Sequence, residues 1–211
     1  MRSLLALLAS PLLLLGLTGS LIQPPAAAVS LQSLRATFPG RRVGGGTRAD
    51  CGARLLIHLV PGSSTYALDD NRLLAVLEGS TDQPKPLRVS LTTVQGEPSA
   101  SLTLPASQAT LSLFAIPKIR TPAIWKSSYE CPAETSSPQT IDESLSSASP
   151  APVSLLLDQA TNEDTATQAF LFGLRRLCGS RVLVAELVRS FKLRELDLTV
   201  WPTTIPVRCV F

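Results

Sequence analysis

Between residues 54 and 129 the apolar positions come in short runs separated by Pro, Gly and Ser, the rhythm of strands rather than helices. Arg54 to Val60 is a buried-strand pattern interrupted by His58 and closed by Pro61-Gly62. Leu73 to Leu77 follows, and then a turn-rich stretch from Gly79 to Pro86. In Leu87 to Thr93, Leu87, Val89 and Leu91 alternate with Arg88, Ser90 and Thr92, as in a strand with one buried face. After Gly96-Glu97-Pro98 come Ser101 to Leu104, then Thr110 to Ile116 with Leu111, Leu113 and Ala115 on one face, then Ala123 to Tyr129 with Trp125. Pro61, Pro86, Pro98, Pro105, Pro117 and Pro122 all fall between runs, where a missing N–H costs no ladder bond. The pattern predicts a mainly β fold, with a small antiparallel β-sandwich over 50–131. The immunoglobulin signature is absent, because Trp125 lies just before Cys131 and not on a central strand.

From 132 to 152 the composition shifts to Ser, Pro, Thr and Ala, which predicts a linker. The acidic residues Glu130, Glu134, Asp142, Glu143, Asp158, Glu163 and Asp164 surround it, with no Lys or Arg among them. The remainder, 153–211, reads as an α+β segment with one or two helices. Val153 to Leu157 is a strand pattern. Thr161 is placed to cap a helix with Glu163 and Asp164 in its first turn. Ala166, Ala169, Phe170, Gly173, Leu174, Leu177 and Cys178 recur at helical spacing, Arg175 and Arg176 suit the negative end of the dipole, and Gly179 ends the helix. Ser180 can cap a second helix over Arg181 to Lys192, with Val184, Leu187, Val188 and Phe191 on one face; the same residues also fit a buried strand. Leu196, Leu198 and Val200 alternate with Asp197 and Thr199, predicting a strand before Trp201-Pro202, and Ile205 to Phe211 predicts a last one.

The N-terminus changes the picture of compartment. Arg2, the apolar run Leu4 to Leu17 and the small residues Ala26-Ala27-Ala28 have the layout of a signal peptide over 1–28, cut after Ala28. The run is short of the roughly 20 residues a membrane-spanning helix needs. An exported product, periplasmic or extracellular, with no integral span after cleavage is expected. The chain has 19 Lys+Arg against 16 Asp+Glu, so losing Arg2 leaves it near neutral. Four cysteines, Cys51, Cys131, Cys178 and Cys209, in an exported chain predict two disulfides. The sequential pairing, Cys51 with Cys131 and Cys178 with Cys209, closes one bridge over each patterned segment and staples the helix end to the last strand.

Candidate chemistry is sparse. A metal site would need ligands at closer spacing; no cysteine pair is C-x-x-C and His58 is the sole histidine. Residues 29–49 form an Arg/Gly-rich segment in which Gly40 and Gly45-Gly46-Thr47 approach a phosphate loop without its lysine. What survives is an anion site for phosphate, sulfate or carboxylate on backbone amides of Gly44, Gly45 and Gly46 flanked by Arg41, Arg42 and Arg48. The bland alternative is a surface turn. His58, between Ile57 and Leu59, reads as a structural histidine, since no G-x-S-x-G elbow accompanies it. Asp69-Asp70 lies in a loop without a patterned partner. No catalytic residue, cofactor or metal is assigned.

The segment around Gly179 has the cadence of a helix-turn-helix, with Arg175, Arg176, Arg181, Arg189, Lys192, Arg194 and Arg208 nearby. An export signal removes genomic DNA as a partner, so this basic face suits the acidic linker, an envelope polymer or a lipid headgroup surface instead.

The run Gly40-Arg41-Arg42-Val43-Gly44-Gly45-Gly46-Thr47-Arg48, followed by Cys51 and by a strand ending in Leu59-Val60-Pro61, resembles an uncharacterised family of exported cyanobacterial proteins, domain of unknown function nine-two-eight. The likeness is local, over residues 39 to 62. It implies an exported cyanobacterial source and supplies no activity. The sequence favours a non-catalytic cell-envelope interaction or structural module whose partner is an envelope protein or polymer; the alternatives are a carrier of anionic molecules on the Arg/Gly loop and a hydrolase with an unrecognised site.

Overall fold

The computed structural model describes residues 30–45, 54–130, 150–194 and 196–211. Among the described residues eleven strands form two sheets. One sheet has the order β1 (Val43–Gly45), β2 (Leu55–His58), β4 (Leu73–Glu78), β7 (Thr110–Ala115), β11 (Thr204–Val210), β10 (Arg181–Leu183). The other has the order β3 (Thr65–Ala67), β9 (Val153–Leu157), β8 (Ala123–Tyr129), β5 (Leu87–Thr93), β6 (Pro98–Leu104). The fold is mainly β, as the patterning predicts. The sheets are mixed rather than purely antiparallel, because β11 runs parallel to β7 and β3 parallel to β9.

Period two assigns the faces. On β2, β4 and β7 the residues Leu56, His58, Leu74, Val76, Glu78, Ser112 and Phe114 lie in register on one face. That face meets the other sheet: Phe114 packs edge-on against Trp125 of β8, with ring centroids 6.2 Å apart. The opposite sheet contributes Leu87, Val89 and Leu91 of β5, all buried, opposite Tyr129, Ser127 and Trp125. The reverse face of the six-stranded sheet carries Ile57, Ala75, Leu77, Leu111 and Leu113, also buried, and packs against α2 (Asn162–Arg175). Helix, sheet and sheet thus make three layers.

A short helix, α1 (Leu31–Thr37), was not signalled by the sequence. Its Leu31 and Leu34, with Phe38, cover Ala67, Leu155 and Leu157 on the outer face of β3 and β9. Ser30 caps it by accepting a hydrogen bond from the Ser33 N–H.

The expected division into a sandwich over 50–131, a linker over 132–152 and an α+β segment over 153–211 is not kept by the sheets. Strand β9 lies between β3 and β8, and β11 lies beside β7, so each sheet takes strands from both sides of the proposed linker. Residues 29–49, expected as a separate segment, supply α1 and β1. The end of the linker is packed too: the Pro150 carbonyl fills the space a Cβ on Gly44 would need.

Helix α2 starts at its expected cap. Thr161 and Asp164 form a reciprocal capping box. Its inward face, however, runs through Asp164, Thr167, Leu171 and Leu174, while Ala166, Ala169 and Gly173 are exposed. Asp164 accounts for the rotation: buried, it accepts from the Ala67 N–H at 2.9 Å and pairs with Arg35 of α1 at 3.0 Å, so a polar clamp turns that side toward the sheet. After Gly179, at φ +78°, the choice of helix or strand over 181–192 resolves into both. Arg181–Leu183 pairs with β11 as β10, and α3 (Val184–Phe191) begins without a side-chain cap at Leu183, so Ser180 is not the N-cap. The intervening strand also removes the helix-turn-helix reading. The predicted strand at 196–200 is instead a 3-10 turn, Leu198–Val200, because the Asp197 carboxylate accepts from the Thr199 N–H and hydroxyl, bending the chain and leaving Leu198 and Val200 exposed.

The Cys178–Cys209 disulfide is formed, with Cα atoms 5.6 Å apart, and ties the end of α2 to β11. Cys51 and Cys131 lie outside the described residues, as does the signal-peptide region. Among the described residues no helix is long and apolar enough to cross a membrane.

Candidate functional site

A cleft of about 480 Å³ opens between α2, the end of α3 and the turn that follows β2. Glu163, Ala166, Thr167 and Phe170 form the α2 wall; spacings of three, four and seven residues put them on one side of the helix. Val60, Pro61, Gly62 and Ser63 form the facing wall, and Ser190, Phe191 and Lys192 close one end. Phe170 meets Phe191 edge-to-face, with centroids 5.3 Å apart, so that end has an aromatic corner.

Arg42 enters the same end. Its guanidinium donates to the carbonyls of Val60 at 3.1 Å, Phe191 at 2.8 Å and Lys192 at 3.1 Å. Those last two carbonyls belong to the C-terminus of α3, where no intrahelical N–H remains to satisfy them and the helix dipole favours a cation. Lys192 itself is left-handed, at φ 50° and ψ 47°, which ends the helix. Lys192 and Glu163 are exposed, and neither side chain makes an ion pair or hydrogen bond within the described residues.

The structure gives the predicted anion-site residues other surroundings. Gly44 and Gly45 are buried in β1, paired with Leu56 and Leu55. Arg41 exchanges backbone hydrogen bonds with Val153, at 2.8 and 2.7 Å. Arg42 is engaged as described, while Gly46 and Arg48 lie outside the described residues. Arginines and glycines adjacent in sequence are therefore used as a strand and a helix cap. In the sequence Phe170 and Phe191 read as helix components, Glu163 as part of the acidic flank of the linker and Lys192 as part of the basic face around Gly179; the signal that groups them is three-dimensional, the docking of the end of α3 beside α2.

Two polar networks sit between the sheets. His58 is fully buried, with Nδ1 2.8 Å from Ser154 Oγ and Nε2 2.9 Å from Ser127 Oγ. The Trp125 indole N–H donates to Ser127 Oγ at 2.9 Å. A consistent assignment has Ser127 donate to Nε2 and Nδ1–H donate to Ser154. Burial pushes the His58 pKa well below its ordinary value, so the ring is neutral. Among the described residues no carboxylate orients it, and the ring is fully buried, unlike a base that activates a nucleophile. The structural-histidine reading therefore matches its surroundings.

The second network centres on Glu78, fully buried at the end of β4. It pairs with Arg54 and Arg208, each at 3.3 Å, and accepts from Ser107 and Ser112, each at 3.1 Å. Burial raises the Glu78 pKa, and the two guanidiniums and the hydroxyls pull it back. Arg54 also lies over the Tyr129 ring, 4.7 Å from its centroid, joining the two sheets. Asp69, from the candidate carboxylate pair, accepts from the backbone N–H groups of Asn71 and Arg72 and shapes the turn before β4. Among the described residues no group of His, Cys, Asp and Glu is placed to hold a metal ion.

No family model, curated protein or solved structure matches this chain.

Proposed function

We propose that the protein is a non-catalytic binding module of the cell envelope, exported and stapled by disulfides, acting on a partner through its surface. The observation that carries the reading is the state of His58: fully buried, with both nitrogens on serine hydroxyls, the one histidine of the chain serves the core. The buried Glu78 carboxylate is likewise occupied by ion pairs to Arg54 and the partly exposed Arg208, which suits cohesion between sheets. The disulfide between Cys178 and Cys209 accords with an oxidising compartment. The alternative of anion carriage on the Arg/Gly loop would require Arg42 to leave three carbonyls it caps. A panel of ester, peptide and glycoside substrates tests the reading, run on the purified chain and on a His58→Gln variant. No turnover above a heat-denatured control is expected; turnover that His58→Gln abolishes while the variant stays folded would establish a hydrolase instead.

A further inference from the structure

The cleft between α2 and α3 carries opposite charges at its two ends. Glu163 stands in the first turn of α2, and Phe170, seven residues further on, is in contact with Phe191, next to Lys192 and the Arg42 guanidinium. At 1.5 Å per residue these positions are about 10 Å apart along the helix. The wall between them carries Ala166 and Thr167 on the α2 side and Val60, Pro61 and Ser63 opposite. Arg42 is held by the Val60, Phe191 and Lys192 carbonyls, which fixes the shape of that end of the cleft. Neither Glu163 nor Lys192 spends its charge on a neighbour within the described residues.

A ligand complementary to this cleft is a zwitterion with a largely apolar middle, its ammonium at Glu163 and its carboxylate at Lys192. An extended chain advances about 3.3 Å per residue, so roughly three residues span the distance between the charged ends. A cavity of about 480 Å³ lies in the range of small-ligand sites. From these relations we infer that the cleft binds short apolar peptides of about three residues with both termini free. The inference rests on the binding-module reading and names the ligand class for it.

Calorimetric titration of the full chain with Ala-Leu-Ala, its N-acetylated form, its C-amidated form and decanoate tests this. Saturable binding of the free peptide is expected, with each end modification weakening it roughly threefold to tenfold, the range for a partly exposed charge contact. Glu163→Gln should remove the penalty of acetylation and keep that of amidation. Lys192→Asn, which retains a residue suited to a left-handed backbone, should reduce the penalty of amidation and keep that of acetylation. Both side chains are exposed, so the variants test charge rather than folding. Absence of saturable binding, end-group penalties that neither variant alters, or decanoate binding as tightly as the peptide overturns the inference. Mass spectrometry of the recovered peptide separates this result from the parent reading, because cleavage would overturn the non-catalytic assignment and intact peptide would leave it standing.

Discussion

His58 and Trp125 lie face to face, with ring centroids 3.5 Å apart and planes 7° from parallel. One ring comes from β2 and the other from β8, so the stack joins the two sheets, and Ser127 bonds to both rings. Protonating His58 would place a charge in the middle of this contact, where its two ring nitrogens meet serine hydroxyls.

The folded pKa of His58 lies below the unfolded value near 6.5, so the unfolded chain binds the extra proton first as pH falls. Stability therefore decreases as pH drops below about 6.5, by at most about 1.4 kcal/mol per pH unit, until the folded-state pKa is reached. Glu78 contributes with the opposite sign: its raised pKa adds stability below the unfolded value, lost as pH rises through the folded one. Urea denaturation from pH 8 to pH 5 of the native chain and of His58→Gln isolates the histidine part, and the native chain should show the steeper loss below pH 6.5.

Glu78→Gln removes the countercharge of Arg54, which is 4% exposed, and of the partly exposed Arg208. Breaking a buried pair by deleting one partner leaves an uncompensated charge, and the expected loss is about 3 kcal/mol or more. Equilibrium unfolding of the variant measures it; a change below 1 kcal/mol would mean that the network is solvated.

How much of this was legible in the sequence depends on the range of the interaction concerned. The strands from 87 to 93 and from 123 to 129, and the cap of α2 at Thr161, follow from local alternation and local capping. Strand β3 was missed because Thr65-Tyr66-Ala67 is too short to show a period; its pairing with β9 across ninety positions of chain makes it a strand. The parallel partnership of β7 and β11 is non-local for the same reason. Leu198 and Val200 misled because their alternation was real and the Asp197 turn overrode it. In the cleft, Arg42 was legible as a candidate, but its engagement with the end of α3 depends on residues about 150 positions away.

Replacing Cys178 and Cys209 together by serine should lower stability by about 2 to 4 kcal/mol, since the bridge closes a loop of 31 positions and anchors β11 beside β7. Urea denaturation of this double variant beside the native chain checks the figure. An unchanged midpoint would mean that the β7–β11 pairing holds the terminus without the bridge.

A nitrogen-15 NMR titration of the full chain with Ala-Leu-Ala locates peptide binding on the molecule. Saturable shift changes are expected at the amides of Val60 and Gly62 to Ser63, Glu163 to Phe170 and Ser190 to Lys192, and none at Leu198 to Trp201. Saturable changes centred elsewhere, or no changes at all, would contradict binding in the cleft.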